Sequence, residues 1–246
     1  MPTLASSRSV AEVVPFRPVP RHSQVEYAVT LLEHIWPGIE WLDIGCGRQV
    51  VPDWVWSPEE ARALLRDANL TGLDVDDAID EHPLLHNRLH CWAEDIPVPS
   101  DSFDLVTANM VMEHVKEPSH VLREIWRVLR PGGSFLIHTP NLRFYLIWIA
   151  HCMPKCIKNC AIHWLEHRDD KDVFPALYKF NTPEAVERCA RESGFRVASL
   201  RITVPTPSFL GTPFERLERP ILALLHKPAF QRYRADLIVD LKKRAA

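Results

Sequence analysis

The most constraining feature of this chain is an alternation. From residue 23 to about residue 204, short apolar runs of strand length trade places with capped, amphipathic runs of helix length. "EWLDI", "LTGLDV", "RLHCWAED", "FDLVTAN", "SFLIHT" and "FRVASLRITV" read as six strands in that order. Between them, "SPEEARALLRDA" opens with Ser57, Pro58 and Glu60, an N-cap, a first-turn proline and a capping-box acid. "EPSHVLREIWRVLRPGG" sets Val121, Leu122, Ile125, Val128 and Leu129 on one helical face and stops at Pro-Gly-Gly. "TPEAVERCARESGF" is a further capped helix, and "SQVEYAVTLLEHIW" carries Val25, Val29, Leu32 and Ile35 near helical spacing. Buried strands separated by helices predict an α/β fold. It is a doubly wound, Rossmann-like, seven-stranded and mostly parallel sheet with helices on both faces. "DLIVDLKK" supplies the seventh strand, expected antiparallel at the sheet edge.

One domain accounts for residues 21–246, preceded by a leader over residues 1–20 whose Ser, Arg and Pro content predicts disorder. Two stretches break the rhythm. Residues 141–180, rich in aromatic residues, His and Cys, read as a lid insertion. Residues 205–234 read as a Pro-rich extension with an amphipathic centre, "FERLERPILALLHK". A net charge of −3 leaves no basic field for nucleic acid. No apolar run reaches the ~18 residues that cross a bilayer. Six cysteines without a C-x-x-C pair, and no secretory signal, predict reduced thiols and a cytoplasmic location. Cys152, Cys156, Cys160, His163 and His167 would lie in a row along one helix, which does not close a tetrahedron, and Pro154 interrupts that helix. No metal is expected there.

In doubly wound sheets ligands bind beyond the carboxyl ends of the strands. After the first strand comes Asp43-Ile44-Gly45-Cys46-Gly47, a glycine turn that lets a ligand approach the backbone. After the second comes Asp74, about thirty residues beyond Asp43, placed to accept hydrogen bonds from a ribose diol. Asp95 and Ile96 follow the third strand, and "ANMVMEHV" follows the fourth. Each charge-assisted hydrogen bond contributes about 1.5–3 kcal/mol. Three acids therefore favour a ligand with hydroxyls, an amine and positive charge over a pyrophosphate, which they repel.

"WLDIGCG", "TGLDVDD", "WAEDIPVPSDSFDLVTANMVMEHV" and "LREIWRVLRPGGSFLIHTPN" together resemble the motifs of class I S-adenosylmethionine-dependent methyltransferases, over residues 24–204. The resemblance implies S-adenosyl-L-methionine as cofactor. It implies that Asp43, Gly45, Cys46 and Gly47 surround the methionine half. Asp74, with Val75, would hold the ribose; Asp95 and the Ile96 backbone would read adenine; Asn109 and Met110 would line the floor near the sulfonium. The family's next glycine is replaced by Gln49, so Gln49 or Arg48 is expected to grip the cofactor carboxylate.

The expected function is methyl transfer, to oxygen or nitrogen, on a small-molecule, glycan or lipid-linked acceptor, with peripheral membrane contact through the apolar segments. His114, just past the fourth strand, is the candidate base, whereas His138 inside the fifth strand is expected to be packed. His163, Trp164, His167, Tyr178 and Phe180 are expected in the lid. A nicotinamide-dependent dehydrogenase would need G-x-G-x-x-G, which "GCGRQV" lacks. A scaffold that kept the fold without turnover is the other alternative.

Overall fold

The computed structural model describes residues 22–152 and 175–245. Seven strands form one sheet. They are β1 (Glu40–Ile44), β2 (Asn69–Asp74), β3 (Asn87–His90), β4 (Phe103–Asn109), β5 (Leu129–Pro140), β6 (Phe195–Ile202) and β7 (Asp236–Lys243). Their spatial order is β3-β2-β1-β4-β5-β7-β6. The first five are mutually parallel, and β7 runs antiparallel to both its neighbours. Helices α1 (Ser23–Leu32) and α2 (Pro58–Leu65) cover one face; α3 (Pro118–Val128) and α5 (Pro183–Glu192) cover the other. Helix α4 (Tyr145–Cys152) follows β5, and α6 (Glu215–Leu225) lies between β6 and β7.

The pleat sorts the core. Leu42, Ile44, Phe135 and Ile137 point to α3 and α5, while Trp41, Leu105 and Leu136 point to α1 and α2. Val121, Leu122, Ile125 and Val128 of α3 are fully buried, each contributing about 1.5–3 kcal/mol of transfer free energy. The capping box at Ser57 and Glu60 forms as its sequence predicts.

Four expectations change. First, β7 is an interior strand, not the edge. Leu237, Ile238, Val239 and Leu241 are buried on both faces, whereas β6 alternates with exposed residues such as Arg196 and Arg201 and takes the edge. Second, the buried stripe of α1 is Tyr27, Ala28, Thr30 and Leu31, and Val29 faces solvent. The packing of Tyr27 and Leu31 with Trp41 and Leu136 sets the rotation of the helix. Third, β3 stops at His90, leaving "CWAED" as loop. Fourth, α3 stops at Val128, and Pro-Gly-Gly belongs to β5, where the register against β4 shifts and Gly132 has φ 82°.

The leader, residues 153–174 of the lid, and with them Cys156, Cys160, His163, Trp164 and His167, lie outside the described residues. Among the described residues no group of His, Cys, Asp and Glu is arranged to hold a metal ion. No helix there is long and apolar enough to cross a membrane.

Candidate active site at the strand tips

The strand order reverses between β1 and β4, so the crevice opens over their carboxyl ends. The turn after β1 follows from its glycines. Gly45 has φ 63° and Gly47 φ 47°, both in the left-handed region, and a Cβ on Gly45 would stand 2.4 Å from Val111 Cγ2. The turn is tied to β2 from both ends. Gly45 N–H donates to the Leu73 carbonyl at 2.7 Å, and Gly47 N–H donates to Asp74 Oδ2 at 2.9 Å. Asp74 Oδ1 accepts the Asp76 N–H at 3.0 Å. The carboxylate expected to hold ribose hydroxyls therefore also clamps the glycine turn. Two lone pairs per oxygen leave acceptor positions for both tasks. Val75 follows it at the surface.

Asp43 lies deeper, 2% exposed beneath α1. Trp41 Nε1 donates to Thr107 Oγ1 at 2.7 Å, and that hydroxyl donates to Asp43 Oδ1 at 2.5 Å. Burial pushes the Asp43 carboxyl up to about 7; the Thr107 hydrogen bond opposes the shift and the neighbouring Asp74 adds to it. Two neighbouring carboxyls, one pushed up by burial and by the other's charge, favour a ligand that brings positive charge. Two acids and a glycine turn fit the hydroxyls and ammonium of S-adenosylmethionine, and they disfavour a diphosphate. Cys46 is buried against this turn, and burial first, then Asp43 and Asp74, pushes its thiol far above the usual range. It is inert packing.

At the third strand the geometry departs from expectation. Ile96 is buried and its N–H donates to Glu124 Oε1 at 3.0 Å, while Arg127 Nη2 donates to the Ile96 carbonyl at 2.8 Å. Glu124 and Arg127 thus use both main-chain groups of Ile96 to pin this loop to α3, which removes the Ile96 amide as an adenine reader. Asp95 remains solvent-facing. Trp92, two residues past the end of β3, is 63% exposed. Arg48, one of two candidates for the cofactor carboxylate, pairs with Glu81 at 2.6 Å; Gln49 is exposed.

Asn109 and Met110 close β4. Met110 is partly exposed and adopts φ 60°. Asn109 turns toward α1: its amide donates to Gln24 Oε1 at 3.0 Å and the Val50 carbonyl at 3.3 Å, and its Oδ1 faces His138 Nδ1 at 2.8 Å. With both amide hydrogens committed, Asn109 accepts, and the His138 proton sits on Nδ1. His138 is packed as expected, 1% exposed and stacked on Tyr27 at 5.4 Å. Its Nε2 faces Asp236, the first residue of β7, at 3.9 Å.

A second polar group forms on the α3 side. Glu113 is buried and accepts from Thr139 Oγ1 at 3.0 Å; Asn181 Nδ2 donates to the same hydroxyl at 2.7 Å. The Glu113 carbonyl takes the amides of Leu177 and Tyr178. Burial pushes the Glu113 carboxyl up to about 7, with Asp236 adding to the shift and the hydrogen bonds from its own backbone and Thr139 opposing it. His114 is next to it, its side chain 35% exposed and Nε2 3.9 Å from Glu113 Oε1. The lid anchors flank this group: Asn141, Phe180 and Asn181 are fully buried. Sequence reading missed Glu113 and Asp236. Glu113 had a signal in standing beside His114, while Asp236 had none, because only β7 pairing with β5 brings it to the crevice.

A family model of the methyltransferase domain matches residues 21–200. The chain belongs to that family and carries an S-adenosylmethionine-dependent methyltransferase domain. It is 35% identical over 115 residues to a Mycolicibacterium smegmatis protein named as a probable S-adenosylmethionine-dependent methyltransferase, covering 45% of this chain and 41% of that one. It is 34% identical over 116 residues to a ubiquinone biosynthesis O-methyltransferase of Pseudomonas putida, covering 41% of this chain and 44% of that one. The matched region thus spans less than half the length of these curated relatives. In fold the chain is similar to a Haloferax volcanii methyltransferase solved in complex with the Trm112 activator. The TM-score is 0.54 at 20% identity, with 91% of each chain covered.

Proposed function

We propose that this protein transfers the methyl group of S-adenosylmethionine to a hydroxyl oxygen of a small or lipid-linked acceptor, with His114 as the base. The single observation that carries this reading is the Glu113–His114 pair. A buried carboxyl pushed up to about 7 lies beside a partly exposed imidazole, in the loop after β4. An attacking hydroxyl must lose a proton as its oxygen takes the methyl, and an imidazole acts on that proton at neutral pH. Glu113, anchored by Thr139, places its carboxyl 3.9 Å from the imidazole Nε2. The relative named for ubiquinone biosynthesis O-methylation supports oxygen over nitrogen.

On the cofactor side, Asp43 meets the ammonium, Gly45, Cys46 and Gly47 shape the methionine end, and Asp74 with Val75 takes the ribose. Asp95, through its carboxylate, takes the base, with the Trp92 ring alongside. Met110 lines the floor. The cofactor supplies an electrophilic methyl on a sulfonium; the chain's own task is alignment, since in-line displacement is governed mainly by positioning. The test has two parts. Calorimetry with S-adenosylhomocysteine should give heat; silence would reject the cofactor assignment. Incubating enzyme and cofactor with lipid and polar extracts should reveal products heavier by one CH₂. Methyl found on nitrogen or carbon would reject the oxygen assignment.

A further inference from the structure

We propose that the face built by α4 and α6 docks on an anionic bilayer and presents the crevice to an acceptor embedded there. This rests on the reading of the site as a methyltransferase for lipid-linked acceptors and names the route by which the acceptor arrives. Helix α6 is apolar on its buried side, through Leu222 and Leu225, and again on its outer side. Phe214, Leu217, Ile221 and Leu224 step i, i+3, i+7, i+10 along the helix and are all exposed. Helix α4, "YLIWIAHC", has no buried residue, and it displays Trp148 and Ile149. Tyr145 Oη donates to Glu218 Oε1 at 2.8 Å, which joins the two helices. An apolar set on two linked helices is more than scattered surface residues.

Charge selects the occupant. The chain has net charge −3, yet residues 204–234 hold five basic side chains and two carboxylates. Both carboxylates are engaged locally. Glu215 accepts from Arg219 and the Gly211 amide; Glu218 is buried and accepts from Tyr145, Ser208 and Phe209. Arg216, Lys227 and Arg232 are exposed around the stripe. Apolar side chains rimmed by cations match an acyl boundary below anionic headgroups. A partner protein's acidic face would complement the cations but leave the stripe unpaired. Position matches as well. The Asn141 amide, just past β5, donates to the Arg232 and Arg234 carbonyls, so the segment is stapled to the strand that carries His138 and Thr139. A surface seated on α6 therefore lies at the rim of the crevice.

The test is co-flotation of the full chain with vesicles of phosphatidylcholine alone, and of phosphatidylcholine with about one-third phosphatidylglycerol. Binding to the anionic vesicles, weakened by salt, is expected. The double substitution Leu217→Glu, Ile221→Glu should cut that partition about tenfold or more. It should leave the heat of S-adenosylhomocysteine binding unchanged, since both side chains already face solvent. No partition into anionic vesicles, or equal partition into neutral ones, overturns the proposal. So does sedimentation showing a dimer in free solution that the same double substitution dissolves. Failure of S-adenosylhomocysteine binding in the parent protein would instead strike the methyltransferase reading, which keeps the two outcomes apart.

Discussion

At the tips of β1 and β2 the polar groups come from two short sequence windows, 43–49 and 74–77, and are joined by main-chain hydrogen bonds. At the tips of β5 and β7 they come from separate segments: Glu113 after β4, His138 and Thr139 on β5, Asn181 before α5 and Asp236 opening β7. The first half is organised by its own backbone, so its geometry survives whatever acceptor arrives. The second exists only because distant segments pack together, so small changes in the lid or in α6 can reshape it. A domain with one constant donor and a variable acceptor needs this division. Under the proposed function, the first half takes the constant donor and the second takes the acceptor.

The largest effect that would sharpen this contrast is at Asp74. Asp74→Ala removes the clamp on Gly47 and the acceptors proposed for the ribose. S-adenosylhomocysteine affinity should fall by about 4 kcal/mol, near a thousandfold by calorimetry. An unchanged constant would remove Asp74 from the site. Next is Asp43. Its carboxyl ionises near 3.8 when unfolded and at about 7 when folded, so ionisation opposes folding. Its contribution to stability is greatest below about pH 4, declines as pH rises toward 7, and stays low above. Asp43→Asn should therefore raise stability at pH 8 by roughly 4 kcal/mol, leave it near unchanged at pH 4, and weaken cofactor binding. Destabilisation at pH 8 would contradict a strained buried carboxylate.

The acceptor half should respond differently. His114→Ala should lower kcat about a hundredfold, flatten the acidic limb of the pH profile, and leave S-adenosylhomocysteine affinity within about twofold. Equal losses in turnover and cofactor binding would break the division between the halves. The smallest effect is at Arg48. Its pairing with Glu81 is solvent-exposed, so Arg48→Ala should change cofactor affinity by about threefold or less. A larger loss would assign the cofactor carboxylate to Arg48.

The rigid half was legible because its determinants are local. "DIGCG" specifies a turn through the conformational freedom of its glycines, and Asp74 ends a strand whose partner register puts it beside that turn. The reading of Ile96 failed for a non-local reason: Glu124, twenty-eight positions away, reaches its amide. The stripe on α1 was misread because Val29 and Leu31 are equally apolar. What decides between them is which one meets Trp41 and Leu136 across the layer.

By itself, the sequence determined the strand and helix alternation, the glycine turn, the capped helices and the acids at the tips of β1 and β2, because each depends on neighbours a few residues away. Only the tertiary structure decided that β7 lies inside the sheet and that Asp236 and Glu113 meet the crevice. It also decided that Ile96 is engaged by α3 and that α6 keeps an apolar face outward. Those outcomes depend on which segments win the competition for buried surface and for hydrogen-bond partners, and that competition is settled across the whole chain at once.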